Sequence, residues 1–410
     1  MGSSQANRND MNALRITETL RRVRDATAIA TAFTLPLTTS GLAVTSSIFA
    51  ILALLTIKPR EWHVTALRPA AIAPALLFLL LLLGMVWSPT PLGPGGITHY
   101  VKLLFIPLIM ACSLGPRQAL HIGYGLLAGC FIVLALSWMS LLWPSGPWGW
   151  FKVPNIPVKD NSVQSACFAL CAFGLAVAAV QKWSFGKRGH AIAMAALALL
   201  FFTNIFAIYV SKTGMLEALM LLGLFSVWLE GWRRALLIVA SALVIMGIAL
   251  SLSTRAQMRL HQITADIRAD NTSQESISTA SRRDFYDKAI GFVKDAPLFG
   301  HGTGSTKSLF QSLESARPSP YGEAVPDPHN QFLAIAIQVG LIGGVLLLAM
   351  WATHLMTFFG RGVVNVLGQA VVLQNVVGSL FNSHLSTVTE GSLYCLAVGL
   401  LAGLVHWKKA

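Results

Sequence analysis

The chain has 410 residues, of which 54% are hydrophobic and 11% charged, whereas about 25% are charged in an ordinary soluble domain. Apolar runs of membrane-spanning length recur from end to end, which excludes a soluble globular protein and predicts an all-α polytopic membrane protein. The net charge of +13 does not predict a nucleic-acid partner, because the basic residues are spread over short connections between apolar runs.

In chain order, the pattern predicts about twelve transmembrane helices and one large, partly helical exoplasmic loop, which the family resemblance given below would make periplasmic. A cytoplasmic segment at 1–25 precedes nine spans in 26–253; the loop occupies 254–330, three spans fill 331–407, and the tail is 408–410. The first two spans are separated only by Ser40-Gly41. The predicted spans are 26–40, 42–57, 69–87, 97–113, 118–142, 162–181, 190–209, 214–229, 234–253, 331–357, 363–380 and 390–407.

The basic residues predict the orientation. Connections on the side of the N-terminus hold 17 Arg and Lys residues, whereas the short connections on the other side hold four. This bias predicts that both termini are cytoplasmic and that the long loop lies on the opposite side.

The long loop balances nine Arg and Lys residues against nine Asp and Glu residues, as a folded domain does. We predict amphipathic helices near 254–269 and 282–295 and a shorter one near Ser308–Glu314. Ser281 is the expected N-cap of the second, with Asp284 in its first turn, and Pro297 ends it.

His329 is the first candidate for chemistry. Asp327 and Pro328 form a good cap and first-turn pair for the following span, which would place His329 in the first helical turn. There the helix dipole would keep the imidazole neutral and able to accept a proton, and the free N–H groups would suit a phosphate. The alternative is a histidine at the membrane interface that only caps the helix and keeps its end hydrated.

Four cations are candidates for binding a diphosphate. Arg282 and Arg283 point about 100° apart on one helix, so only one of them need face the place where the loop meets the membrane. Lys212, in a tight connection, and Lys102, near the start of its span, are on the same predicted side. Solvated helix ends, snorkelling side chains and neutralisation of Lys212 by Glu217 are the alternatives.

The remaining polar features are weaker candidates for a functional site. Gly300–Gly304 lacks the Gly-Lys-Ser/Thr sequence of a P-loop and is expected to be a tight structural turn. His384 is expected at the membrane interface. The spacing predicts no metal site, and the five cysteines all fall in apolar runs, as small hydrophobic residues do.

Four motifs resemble the O-antigen ligase / Wzy-C superfamily of membrane glycosyltransferases, over about 205–345. In chain order they are Ser211–Gly214 (Ser-Arg/Lys-x-Gly), Ser281 with Arg282 and Tyr286 (Ser-Arg-x-x-x-aromatic), Pro297–Gly304 (Pro-Leu-Phe-Gly-x-Gly-x-Gly), and His329 with Asn330 (His-Asn). One departure is Lys212, where the family usually has Arg.

The resemblance points to the ligase branch, because the chain has one large outer loop and no glycine eleven positions after Arg282 or Arg283. It implies transfer of O-antigen polysaccharide from undecaprenyl diphosphate to lipid A–core oligosaccharide on the periplasmic side of the bacterial inner membrane, without a metal or other cofactor. His329 would be the general base, and Arg282, Lys212, Lys102 or Arg283 would bind the diphosphate. The alternatives are an O-antigen polymerase, a protein O-oligosaccharyltransferase, or a transporter of lipid-linked glycans.

Overall fold

The computed structural model describes residues 2–90, 92, 96–151, 155–157, 161–207, 212–233, 274–316 and 327–407. All regular secondary structure within these ranges is helical. The predicted span 234–253 and the predicted helix 254–269 lie outside the described residues.

The described helices are numbered in chain order. The first six are α1 (Gly2–Thr34), α2 (Thr39–Thr56), α3 (Pro59–Ala66), α4 (Pro69–Leu83), α5 (Phe105–Ala111) and α6 (Pro116–Leu142). Three more follow as α7 (Asn161–Ser184), α8 (Arg188–Ala207) and α9 (Lys212–Glu230). The last five are α10 (Gln274–Asp295), α11 (Ser305–Ala316), α12 (Gln331–Thr357), α13 (Val363–Ser379) and α14 (Val388–Trp407). Two 3₁₀ segments, Ile97–His99 and Val101–Leu104, precede α5.

Seven helices among the described residues are long and apolar enough to cross a membrane: α2, α6, α7, α8, α9, α12 and α14. The number is eight if α3 and α4, which meet at an 83° bend, form one broken span. Shorter apolar helical segments lie at Ile97–Ala111 and Val363–Ser379, where spans are also predicted. The expectation of a polytopic helical protein is confirmed; the number twelve stays a prediction.

The boundary predicted between the first two spans was wrong. Helix α1 ends at Thr34, six residues before the expected end, and Ser40-Gly41 lies inside α2. Pro36 explains the early end, because proline disfavours a helical conformation in the residue before it. Thr38 then caps α2 by accepting a hydrogen bond from the Gly41 N–H at 3.4 Å.

The core that supports the site is formed by α4, α12, α13, α14 and the segment 97–111. Helix α12 packs along α4, and α14 packs along both α5 and α13. The first residues of α12 and α14 and the last of α13 thus come to one end of the bundle, which we call the His329 end.

Helices α10 and α11 dock onto α12 through a small aromatic cluster. Phe285, Phe292 and Phe310 pack edge to face and contact Ile337 of α12. Lys288 of α10 bridges to Asp284 at 2.7 Å and to Glu314 of α11 at 3.2 Å. Partial burial opposes the ammonium charge, but the two carboxylates outweigh it and raise the pKa of Lys288.

The expected start of the second loop helix was also wrong. Helix α10 begins at Gln274, so Ser281 lies in its interior and Asp284 is beyond its first turn. The two arginines therefore do not stand at a helix N-terminus. The third loop helix is present and runs from Ser305 to Ala316.

Candidate functional site

The turn that carries His329 lies just before α12, at the His329 end. The N-cap of α12 is Asn330, whose side chain accepts a hydrogen bond from the Leu333 N–H at 3.1 Å. Asp327 accepts the His329 N–H at 2.9 Å and so closes a turn before the helix. The expectation that His329 lies in the first helical turn was wrong, and the dipole argument built on it falls away.

His329 has a left-handed backbone conformation, with φ of 50°. Such a conformation is uncommon for a residue other than glycine, although histidine adopts it more readily than most. Residues held this way cluster at functional sites, because the surrounding structure must stabilise them. Here Asp327 accepts the His329 N–H, and the next residue, Asn330, is fixed as the cap of α12.

The imidazole of His329 is half-buried between α10 and the connection 380–387, which joins α13 to α14. Its Nδ1 lies 3.3 Å from Oδ1 of Asn382. Its ring lies against that of Phe285, with centroids 5.8 Å apart. Because Asn382 engages Nδ1, the second ring nitrogen, Nε2, is the one left for a substrate.

Tyr286 holds α10 against both the His329 turn and the connection 380–387. Its hydroxyl hydrogen is shared between the Leu380 carbonyl at 3.0 Å and the His329 carbonyl at 3.4 Å. Asn330 Nδ2 also donates to the Leu380 carbonyl, at 3.3 Å. The motif tyrosine and the motif histidine are therefore in direct contact.

The helical register places Arg282 on the side of α10 that meets the His329 turn. Phe285 and Tyr286, which both contact His329, lie about 60° to one side and about 40° to the other side of position 282 at ~100° per residue. Position 283 is rotated about 100° away from that direction. The side chains of Arg282 and Arg283 lie outside the part of the chain that the structure describes.

Lys102 also contacts the connection 380–387. It lies in the 3₁₀ segment Val101–Leu104, and its ammonium donates to the Ser386 carbonyl at 3.2 Å and to the Thr387 carbonyl. An ammonium has three N–H donors, so one is left for another ligand. The structure therefore brings Lys102 to the same connection as Asn382.

Lys212 is the first residue of α9, and its side chain lies outside the described part. Five residues later Glu217 is buried, with Oε2 accepting from Gln374 Nε2 at 2.8 Å. Its Oε1 lies 3.8 Å from His384 Nδ1, on the connection 380–387. The start of α9 thus belongs to the His329 end, and Glu217 has partners besides the one considered from the sequence.

His384 is 2% exposed, so it is enclosed by protein; its expected place at the membrane interface stays a prediction. It lies between Glu217 and Glu390, whose Oε1 is 4.0 Å from His384 Nε2. Sequence analysis missed this cluster. The signal was present, since Glu217 and Glu390 both interrupt apolar spans and carboxylates at that depth usually face a protein interior.

Helix α12 is interrupted at Val339 and Gly340, whose backbone angles are not helical. Gly300–Gly304 forms a structural turn that packs against this break. Gly302 N donates to the Gln338 carbonyl and Gly304 N donates to Gln338 Oε1, both at 2.8 Å. Thr303 N donates to the Gly84 carbonyl at 3.0 Å. These N–H groups are occupied within the protein, so the turn is no phosphate cradle.

Within the described ranges, no group of three or more His, Cys, Asp or Glu side chains is placed to hold a metal ion. Metal-independent chemistry stays a prediction. The side chains at the turn are instead an imidazole, an amide and a tyrosine hydroxyl, with the Lys102 ammonium on the same connection as the amide. Such a set can accept a proton and stabilise an anion.

Residues 196–348 match the family model Wzy_C, described as O-antigen ligase. The matched segment contains α9, α10, α11 and most of α12, and with them Lys212, Arg282 and His329. No curated protein matches the sequence.

Proposed function

Because residues 196–348 make this chain an O-antigen ligase-family protein, we propose that it transfers O-antigen polysaccharide from undecaprenyl diphosphate to lipid A–core oligosaccharide. The observation that carries the proposal is the His329 turn. Within the matched segment, an imidazole is held by Asn382 at Nδ1 and packed on the helix that carries Arg282.

The proposed reaction is a single displacement. The acceptor hydroxyl oxygen bonds to the anomeric carbon of the donor, and the bond from that carbon to the diphosphate oxygen breaks. His329 Nε2 takes the hydroxyl proton, a contribution of roughly 10²–10⁴-fold in rate for a well-placed base. Attack opposite the leaving group inverts the anomeric configuration.

Positive charge replaces a metal ion at the leaving diphosphate in this proposal. Arg282 supplies a planar fork that matches two phosphate oxygens, and Lys212 adds charge from the start of α9. Lys102 contributes through its remaining N–H, and Arg283 remains the alternative to Arg282. Fixed cations that face the developing charge need no reorganisation during the reaction.

The proposed setting is the bacterial inner membrane, with twelve spans, cytoplasmic termini and the His329 end facing the periplasm. The distribution of Arg and Lys supports this orientation, since 17 lie in the connections of one side and four in the short connections of the other, the long loop left aside. The polyprenyl tail would lie among the spans and the glycan outside the bilayer.

Reconstitution tests the function directly. Purified protein in liposomes receives undecaprenyl-diphosphate-linked glycan and lipid A–core, with EDTA present, and we expect the glycan on lipid A–core. Lengthening of the donor glycan without lipid A–core would indicate a polymerase. Movement of donor between leaflets without a new glycosidic bond would indicate a transporter. Activity lost in EDTA and restored by Mg²⁺ would overturn the metal-independent mechanism.

Arg282 and Arg283 give a paired prediction. Arg282→Lys keeps the charge but loses the fork, so transfer should fall about tenfold, the rate equivalent of one charge-assisted hydrogen bond. Arg283→Lys, the matched control on the same helix, should change transfer less than about twofold because its position is rotated away. Initial rates per folded molecule measure both. Equal losses would show that the register does not select Arg282.

Lys212 gives a separate prediction. If it faces the diphosphate, Lys212→Ala should lower turnover at least about tenfold, and Lys212→Arg should retain or improve it. If it is instead a structural partner of Glu217, alanine should lower thermal stability and Glu217→Gln should partly restore it. An alanine variant fully active per folded molecule would remove Lys212 from the site.

A further inference from the structure

The connection 380–387 contacts the His329 turn at several points besides the ring itself. Ser383 Oγ donates to Asp327 Oδ1 at 2.6 Å, and Asn330 and Tyr286 both donate to the Leu380 carbonyl. This connection lies outside the segment that matches the family model, which ends at residue 348. Its side chains are therefore not among the motif residues, although they touch the motif histidine.

We propose that Asn382 is a positioning residue for the base, an inference that rests on the proposed function. Its Oδ1 accepts the Nδ1–H of His329 at 3.3 Å, which places the ring proton on Nδ1 and leaves the Nε2 lone pair for the acceptor hydroxyl. An amide oxygen selects this tautomer without adding a negative charge that would hold a proton on the ring.

Asn382 is itself held in place, as a positioning residue must be. Its backbone N–H donates to the Gly378 carbonyl at 3.0 Å, and its neighbour Ser383 is tied to Asp327. Farther along, the Leu385 N–H donates to Gln331 Oε1 at 2.7 Å, and Lys102 holds the Ser386 carbonyl. The connection is thus anchored on both sides of Asn382.

The surroundings of His329 make the charge state of residue 382 decisive. Among the described residues, the titratable groups that contact it are Asp327, through the His329 N–H, and the Tyr286 hydroxyl, through the His329 carbonyl. His384, on the same connection as Asn382, is paired instead with Glu217 and Glu390. A carboxylate at position 382 would place a negative charge within hydrogen-bond distance of His329 Nδ1.

The test is the pH dependence of transfer in the reconstituted full-length protein, using lipid-linked glycan and lipid A–core. Asn382→Asp should shift the acidic limb of the kcat profile to higher pH by about one unit or more, since a neighbouring carboxylate stabilises the imidazolium. Asn382→Ala should lower kcat roughly five- to tenfold, the worth of one hydrogen bond, with KM for lipid A–core little changed.

Asn365 supplies the matched control. It lies near the other end of α13, where its Nδ2 donates to the Phe359 carbonyl at 3.0 Å, and Asn365→Asp should leave the profile in place. An unshifted acidic limb in Asn382→Asp would overturn the proposal. If the asparagine were merely structural, its replacement would lower kcat at every pH without moving the pH dependence. If no glycan reaches lipid A–core in the wild type, the proposed function fails; if transfer occurs, His329 is essential and the limb does not move, only the role of Asn382 fails.

Discussion

Glycan transfer should fall by about 100-fold or more when His329 is replaced by alanine, because a positioned base contributes roughly 10²-fold or more. The substitution removes Nε2 and the contacts with Asn382 and Phe285, but it keeps the backbone N–H that Asp327 accepts. We therefore expect protein level and membrane insertion to stay near those of the wild type. The measurement is transfer of lipid-linked glycan to lipid A–core per folded molecule.

The backbone at this position requires a second variant. With φ of 50°, alanine is less suited to position 329 than histidine, so part of a loss could come from a distorted turn. Asparagine adopts the left-handed conformation readily but offers no basic nitrogen. His329→Asn should therefore be as inactive as His329→Ala while matching the wild type in thermal stability. Transfer within about threefold of the wild type in both variants would exclude a base at this position.

The second large effect concerns folding. Gly340→Ala should leave little folded protein, because Gly340 forms the break in α12 onto which the glycine-rich turn docks. Its φ of 69° and ψ of −172° belong to a region that is essentially open to glycine alone. An added Cβ would collide with the Leu298 carbonyl group and lie 2.6 Å from the Phe299 nitrogen. Both collisions are with backbone, which cannot rotate away.

The cost follows from two sources. A strained backbone of this kind costs about 1–3 kcal/mol, and displacing the turn also breaks the hydrogen bond from the Leu341 N–H to the Pro297 carbonyl at 2.8 Å. Thermal unfolding in detergent and the yield of monodisperse protein are the measurements. The matched control is Gly291→Ala on α10, where nothing lies within 4 Å of the added Cβ, and where we expect unchanged or slightly higher stability. A Gly340→Ala variant as stable as the wild type would show that α12 does not need this break.

Local sequence was sufficient for the helical architecture. The span predicted at 331–357 coincides with α12, and the one at 190–209 begins two residues after the start of α8. Long apolar runs leave the chain no other way to satisfy its backbone in a membrane, so these elements depend little on their neighbours. The O-antigen ligase resemblance, based on four short motifs, is confirmed by the match over residues 196–348.

Helix ends were less predictable. Ser281 and Asp327 are both good capping residues by type, yet α10 begins at Gln274 and Asn330 caps α12. Several capping residues near one another compete, and contacts from elsewhere decide among them. Ser383, 56 residues further along the chain, donates to Asp327, which accepts the His329 N–H in the turn before α12.

Tertiary structure alone decided what surrounds the candidate base. Asn382 is 53 residues from His329 in sequence, and His384, on the connection that leads into α14, is brought against Glu217 of α9 and Glu390 of α14. Apolar periodicity says which residues enter the bilayer, but it does not say which spans are neighbours. That choice depends on how whole helices pack, and the polar side chains at this end of the bundle meet only after the packing is complete.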